Sequence, residues 1–282
     1  MKVNVAKSSG FCFGVRLAKK KAKDLAAKGQ PVHVLGDIVH NTFVVCELEE
    51  KGVKKIKRIR PVKNSTLIIR AHGATSKTFD RAKNCGYRIV DATCPKVKDI
   101  YEIARKLEKD NTIIIIGDSG HDEVKGIAGQ LKKRPITIES PRNVSVKRLT
   151  RVKKAAVITQ STQTMDNITK IMVRLKKIIP DVTLHNTTCR TTRVKQKEIE
   201  SLPVQNDVVL IIGSRISANT KRLYQISRKI NKKTHWIECA KDIKKSWFSS
   251  AKKVGIMAGA STPDNITQEV VTKLERMKTS KK

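Results

Sequence analysis

The strongest constraint on how this chain can fold is a pattern that it repeats three times. Each copy runs through a short apolar strand, a loop that holds a cysteine, an amphipathic helix, and a second strand ending at glycine and then Asp or Ser. The cysteine loops read SSGFCFGV around Cys12, DATCPKV around Cys94 and NTTCRTT around Cys189, preceded by the strand-like VNVA, YRIV and VTL. The later glycines are Gly36 after PVHVL, Gly117 after NTIIII and Gly213 after DVVLII, which lie 24, 23 and 24 residues beyond their cysteines. A chance alternation of strands and helices would not hold that distance three times, so the copies read as true repeats. A glycine at each strand-to-turn junction suits a backbone that needs positive φ.

Further along each copy a third apolar strand runs into a polar loop. STLIIR leads to Ala71-His72-Gly73, AAVIT to Gln160-Ser161-Thr162, and KVGIM to Gly259-Ala260-Ser261-Thr262. Apolar residues at a spacing near 3.6 predict helices over 97–109, 165–177 and 265–277. Strands alternating with helices predict an α/β fold of three pseudo-repeated units with mainly parallel sheets. The expected boundaries are 1–95, 96–187 and 188–282, with Cys94 at the first junction and the Cys189 loop opening the third unit. In parallel sheets the ligand-facing loops leave the carboxyl ends of the strands, and all three kinds of polar loop do so in every copy.

Six cysteines are too sparse here for a disulfide scaffold, and there is no Cys-x-x-Cys pair to suggest a zinc ribbon or a thioredoxin-like motif. Cys46, Cys85 and Cys239 have no counterparts in the other copies and read as small buried hydrophobes. Cys12, Cys94 and Cys189 occupy equivalent loops rich in Gly, Ser and Thr, where thiolates can share one soft metal centre. Zinc would need a fourth ligand such as His40, His72 or His121 in a structural site, or three ligands and an open position in a catalytic one. A cubane iron–sulfur cluster on three cysteines leaves one iron free for substrate.

Three of the six histidines fall at the mouths of the polar loops: His40 in GDIVHN, His72 in RAHGAT and His121 in GDSGHDE. With Ser217, Asn219 and Ser261 they make a lining rich in hydrogen-bond donors that suits phosphate oxygens. His33, His185 and His235 lie in strand-like stretches and read as structural. Glu123 is one of few carboxylates in these loops, and if enclosed it can deliver a proton.

Sixty Lys and Arg against 25 Asp and Glu give a formal charge of +35, which attracts nucleic acid, acidic proteins and anionic substrates alike. Aromatics are only 4% and no recognition helix stands out, so nucleic acid is not the expected partner and the lysines read mainly as a solvated surface. No run of about 18 apolar residues and no signal-peptide pattern appears, which makes the cytoplasm the expected compartment and a membrane role unexpected.

The motifs GFCFGV, VHN, AHG, DATCPKV, GHDE and GASTPD, spread over nearly the whole chain, resemble the 4-hydroxy-3-methylbut-2-enyl diphosphate reductase family of the non-mevalonate isoprenoid pathway. The resemblance implies a trefoil of three units around one central [4Fe-4S] cluster held by Cys12, Cys94 and Cys189. It implies a diphosphate held by His40, His72, His121, Ser217, Asn219 and Ser261, with proton relay by Glu123 and a hydroxyl residue, Thr162 in preference to Ser161. The implied reaction removes the C4 hydroxyl as water with two electrons and two protons. An acidic ferredoxin or flavodoxin is the expected electron donor and a monomer the expected state. The sequence departs from the family pattern at Ala218, where Ser is usual, at Ser161, where Thr is usual, and at Lys195, where Arg is usual. A cluster-dependent hydro-lyase and a basic RNA-associated binding protein are the alternatives.

Overall fold

The computed structural model describes residues 1–279. The chain divides into two compact units. One comprises Met1–Arg16, His40–Cys46 and Arg190–Lys282, the other Leu17–Val39 and Glu47–Cys189.

In chain order the first stretch contains β1 (Lys2–Val5), α1 (Phe13–Ala26), β2 (Val32–Leu35), α2 (Thr42–Glu50), β3 (Val53–Ile56), β4 (Ser65–Ile69), α3 (Ser76–Asn84) and β5 (Tyr87–Asp91). The second contains α4 (Pro95–Leu107), β6 (Thr112–Ile116), α5 (Asp122–Ala128), β7 (Ile136–Ile138), α6 (Val146–Leu149), β8 (Lys154–Thr159), α7 (Met165–Leu175) and β9 (Asp181–His185). The third contains α8 (Arg190–Gln205), β10 (Val208–Ile212), α9 (Ala218–Ile230), β11 (Thr234–Ile237), β12 (Lys253–Ala258) and α10 (Asp264–Thr279). The helices expected over 97–109, 165–177 and 265–277 are α4, α7 and α10, each displaced by no more than two residues at either end.

Three four-stranded sheets result, in the orders β3-β2-β4-β5, β7-β6-β8-β9 and β1-β12-β10-β11, and every pairing is parallel. The α/β reading with parallel sheets is therefore borne out. Each sheet is assembled alike: the strand before a cysteine loop pairs with the third strand of a copy, which pairs with the strand that ends at the repeated glycine, which pairs with a short edge strand. The sheets do not follow the linear order throughout. β1, which a boundary at residue 95 groups with β2 to β5, pairs instead with β12, in register from Lys2 with Lys253 to Val5 with Ile256.

Inner strands such as TIIII and VVLII are β-branched and apolar without alternation because both faces are covered. Val208, Leu210 and Ile212 pack into one apolar cluster, while Val209 and Ile211 pack into another. β6 divides in the same way, Ile114 and Ile116 to one side and Ile113 and Ile115 to the other. β3 and β7 carry no strong strand signal. They are short edge strands, and β3 exposes Lys54 and Lys55, which an edge tolerates. Among the described residues no helix is long and apolar enough to cross a membrane.

The repeated glycines have a common task. The N–H of Gly36, Gly117 and Gly213 donates to the last carbonyl of the neighbouring edge strand, Ile56, Ile138 and Ile237, at 3.0, 3.1 and 2.9 Å. Gly36 and Gly213 have positive φ, as expected, at 75° and 148°. Gly117 does not, and its need is space: a Cβ there would lie 2.7 Å from Val124 Cγ2 and 2.9 Å from Gln160 Cβ.

Candidate functional site

The three cysteine loops are built alike. β1, β5 and β9 each end shortly before a cysteine, and α1, α4 and α8 begin at the next residue. The backbone N–H of Cys12 donates to Ala260 O at 3.0 Å, that of Cys94 to Ala71 O at 3.0 Å, and that of Cys189 to Ser161 O at 2.9 Å. Each acceptor lies in the polar loop after the third strand of a copy. All three cysteines are half-buried and outside any disulfide, at the start of helices of 14, 13 and 16 residues, where the positive end of the helix dipole favours anionic ligands. Cys85 and Cys239 pack against apolar clusters, as expected. Cys46 does not: it is exposed on α2.

Side chains brace these loops. Asp91 accepts from Thr93 N–H at 2.9 Å and pairs with Lys98 at 2.6 Å. Burial alone would raise the Asp91 pKa, but these partners hold it below the ordinary value. Before Cys189, Thr159 and Thr187 exchange backbone and hydroxyl bonds, with the N–H of each donating to the hydroxyl of the other at 2.8 and 3.0 Å. Before Cys12, Glu198 accepts from the N–H groups of Lys7 and Ser8 and from the Ser8 hydroxyl.

In the unit containing Leu17–Val39 and Glu47–Cys189, the rings of His72 and His121 meet edge to face, 5.4 Å between centroids. His121 caps α5, its Nδ1 accepting from Glu123 N–H at 3.1 Å. Nδ1 used as an acceptor leaves a neutral ring with its proton on Nε2, which makes Nε2 a donor. Glu123 is 2% exposed, so it is enclosed as the sequence reading required. Its two carboxylate oxygens accept from the N–H and the hydroxyl of Ser161, at 2.6 and 2.7 Å. Thr162 Oγ1 accepts from Gln160 Nε2 at 3.0 Å.

In the other unit, Ser261 donates through its hydroxyl to His40 O at 3.0 Å. Ser217 caps α9 by accepting from Thr220 N–H, and Ala218 and Asn219 form the buried first turn. Asn219 Nδ2 is buried and has no hydrogen-bond partner among the described residues. A buried amide donor left open at a helix N-terminus is suited to an anion. Gly213 and Gly259 let this turn and the 259–262 loop close on each other, since a Cβ at Gly259 would meet Thr220 Oγ1 at 2.1 Å. The remaining histidines sit in strands, as expected. His33 meets Tyr87 edge on at 5.6 Å, and His235 stacks on Trp247 at 3.8 Å. Burial first, and a nearby cation second, lowers the pKa of both.

Two residues next to these loops escaped the sequence reading as parts of a site. Tyr101 on α4 donates to His72 O at 3.4 Å and lies against Gly73 and Gly126. It looks like any other residue of an apolar helix stripe, so the sequence carries no signal for it. Lys195 on α8 is fully buried. Its signal was a lysine in line with Ile199 and Leu202, at i+4 and i+7 on one helix face.

Comparison with known proteins finds relatives along nearly the whole chain. A model of the LytB protein family matches residues 3–275. A 4-hydroxy-3-methylbut-2-enyl diphosphate reductase of Trichlorobacter lovleyi is 39% identical over 99% of this chain and 100% of its own length. A solved (E)-4-hydroxy-3-methyl-but-2-enyl diphosphate reductase, described as the terminal enzyme of the non-mevalonate pathway, is 32% identical with a TM-score of 0.72, covering 98% of this chain and 100% of that one. The corresponding reductase structure from Plasmodium falciparum has 26% identity and a TM-score of 0.88, over 96% and 87% of the two chains.

Proposed function

Because the chain belongs to the LytB family, we propose that it reduces (E)-4-hydroxy-3-methylbut-2-enyl diphosphate to isopentenyl and dimethylallyl diphosphates, the last step of non-mevalonate isoprenoid biosynthesis. Two electrons and two protons enter, and the C4 hydroxyl leaves as water. The names of the relatives favour this reading over a hydro-lyase or an RNA-associated protein.

In this reading Cys12, Cys94 and Cys189 hold one [4Fe-4S] cluster per chain. The donor set fits such a group: three cysteines outside any disulfide in matching loops, each at a helix N-terminus, with each cysteine N–H tied to the neighbouring polar loop. When bound, the cluster supplies an iron without a protein ligand, a Lewis acid for the hydroxyl oxygen and a source of electrons.

The chain's own groups orient the substrate and move its protons. His40, His72, His121, Ser217, Asn219 and Ser261 donate hydrogen bonds to the diphosphate, which fixes the allylic end in place. The first turn of α9, with its open Asn219 amide, supports that role. Ala218 contributes only its N–H. Ser161 bonded to Glu123 supports Ser161 as the relaying hydroxyl, with Thr162 orienting Gln160. A proton on Glu123 reverses the bond: the carboxyl donates to Ser161 Oγ, which releases its own proton toward the departing oxygen. An acidic ferredoxin or flavodoxin brings the electrons to this basic chain, which works as a monomer in the cytoplasm.

The observation that carries the proposal is the bond from cysteine N–H to loop carbonyl, repeated at Cys12, Cys94 and Cys189. The test is iron and acid-labile sulfide on anaerobically purified protein and on Cys12→Ser, Cys94→Ser and Cys189→Ser. About four of each per chain, lost in every variant, is the expected result. Zinc, or no metal, overturns it.

A further inference from the structure

Lys195 is the one fully buried lysine among the described residues, and neither the substrate clamp nor the proton relay uses it. Its ammonium group donates to two backbone carbonyls, Ser8 O and, at 3.1 Å, Ala258 O. The charge is thus solvated by backbone carbonyls. A buried cation held in this way is costly to the fold unless a negative charge in the same region answers it.

The two carbonyls locate that region. Ser8 opens the loop that leads to Cys12, and Ala258 ends β12 just before Ala260, whose carbonyl receives the Cys12 N–H. Gly10 N–H also donates to Ala258 O, and the Ser9 hydroxyl accepts from Ala258 N–H, so Lys195 closes a net joining the Cys12 loop to the end of β12. One turn further along α8, Glu198 grips the amides of Lys7 and Ser8. Burial lowers the Lys195 pKa to about 8, while Cys12, Glu198 and Asp264 pull in the opposite direction.

We propose that Lys195 is the internal counter-charge of the Cys12 limb of the metal centre: it holds the Ser8–Cys12 loop against β12, and its positive field makes the cluster easier to reduce. This rests on the iron–sulfur reading above. Adding an electron to an anionic cluster beside a fixed cation in a medium of low dielectric is favourable, and removal of that cation moves the reduction potential down. Lys195 does not touch the reacting atoms, so its role is positioning and electrostatic.

The test is a redox titration, followed by electron paramagnetic resonance, of anaerobically reconstituted holoenzyme. Lys195→Met keeps the length of the side chain and removes its charge, and Lys195→Arg keeps the charge. With iron content matched to the parent, the midpoint potential of Lys195→Met is expected to fall and that of Lys195→Arg to stay near the parent value. Glu198→Gln, which removes an anion from the same net, is expected to move it upward. A Lys195→Met potential equal to the parent, or an equal fall in Lys195→Arg, overturns the proposal and leaves a packing role. If Lys195→Met does not retain iron, Glu198→Gln decides, and the absence of an upward shift overturns it. A parent protein without iron and sulfide refutes the function proposed above instead, which keeps the two failures distinct.

Discussion

Ser161 and Glu123 form a two-point contact in the candidate site: one residue spends both its N–H and its hydroxyl on the two oxygens of a buried carboxylate. That geometry gives Glu123→Gln a specific signature. The amide can keep the backbone bond and the shape but holds no transferable proton, so kcat is expected to fall by about 10²–10⁴ with KM nearly unchanged. Loss confined to KM would remove Glu123 from the relay. Ala218 offers a test in the other direction. A hydroxyl restored there, beside the capping Ser217, adds one donor to the α9 turn, and one hydrogen bond at about 1 kcal/mol corresponds to a KM roughly fivefold lower. Steady-state kinetics on Ala218→Ser, with kcat as the internal control, measures it. Both residues were picked out by sequence, and the relay partner of Glu123 was narrowed there to Ser161 or Thr162. The order Gln160-Ser161-Thr162 places two hydroxyls side by side, and only the path of the loop decides which one faces a carboxylate on α5.

Between elements, Tyr101 is the point at which α4, α5 and the His72 loop meet. Its hydroxyl bonds to His72 O and takes the space that a Cβ at Gly126 would need, at 2.3 Å. In an open helix Gly→Ala gains about 1 kcal/mol. Here Gly126→Ala is expected to cost about 1–3 kcal/mol by overpacking against a fixed hydroxyl. Tyr101→Phe removes the obstructing atom, so the double variant should recover most of that loss in a denaturant or thermal melt. A simple sum of the two single effects would mean that Tyr101 is not the obstacle. The burial of Tyr101 also pushes its phenol pKa far up, with Glu123 and Asp91 adding to the effect, so the hydroxyl stays a donor. The helices and strands involved were legible in the sequence because amphipathic spacing is local. Their meeting point was not, because a tyrosine on an apolar stripe looks the same whether it fills space or clamps a loop.

At the scale of the whole molecule the charge of +35 has one plain kinetic consequence. Reduction by an acidic ferredoxin or flavodoxin is expected to slow by about tenfold or more when salt rises from about 50 to 500 mM, because attraction between opposite charges is screened within about 10 Å at 0.1 M. Photoreduced deazaflavin, a small reductant that needs no docking, should change far less in the same stopped-flow experiment; equal insensitivity of both would remove charge steering. The sequence by itself determined the three-fold plan, the alternation of strand and helix, the three equivalent cysteines and the polar loops that follow the third strands. Each copy is read from strand and helix periodicity and from a Cys-to-Gly spacing of 23 or 24 residues, and short-range periodicity is written directly into the order of residues. Only the tertiary structure decided that β1 completes a sheet with β12, about 250 positions away, that Ser161 faces Glu123, and that Lys195 turns inward beneath the Cys12 loop. Those outcomes depend on which distant carbonyls and strand edges are left unsatisfied when the units close, and a local pattern carries no record of that.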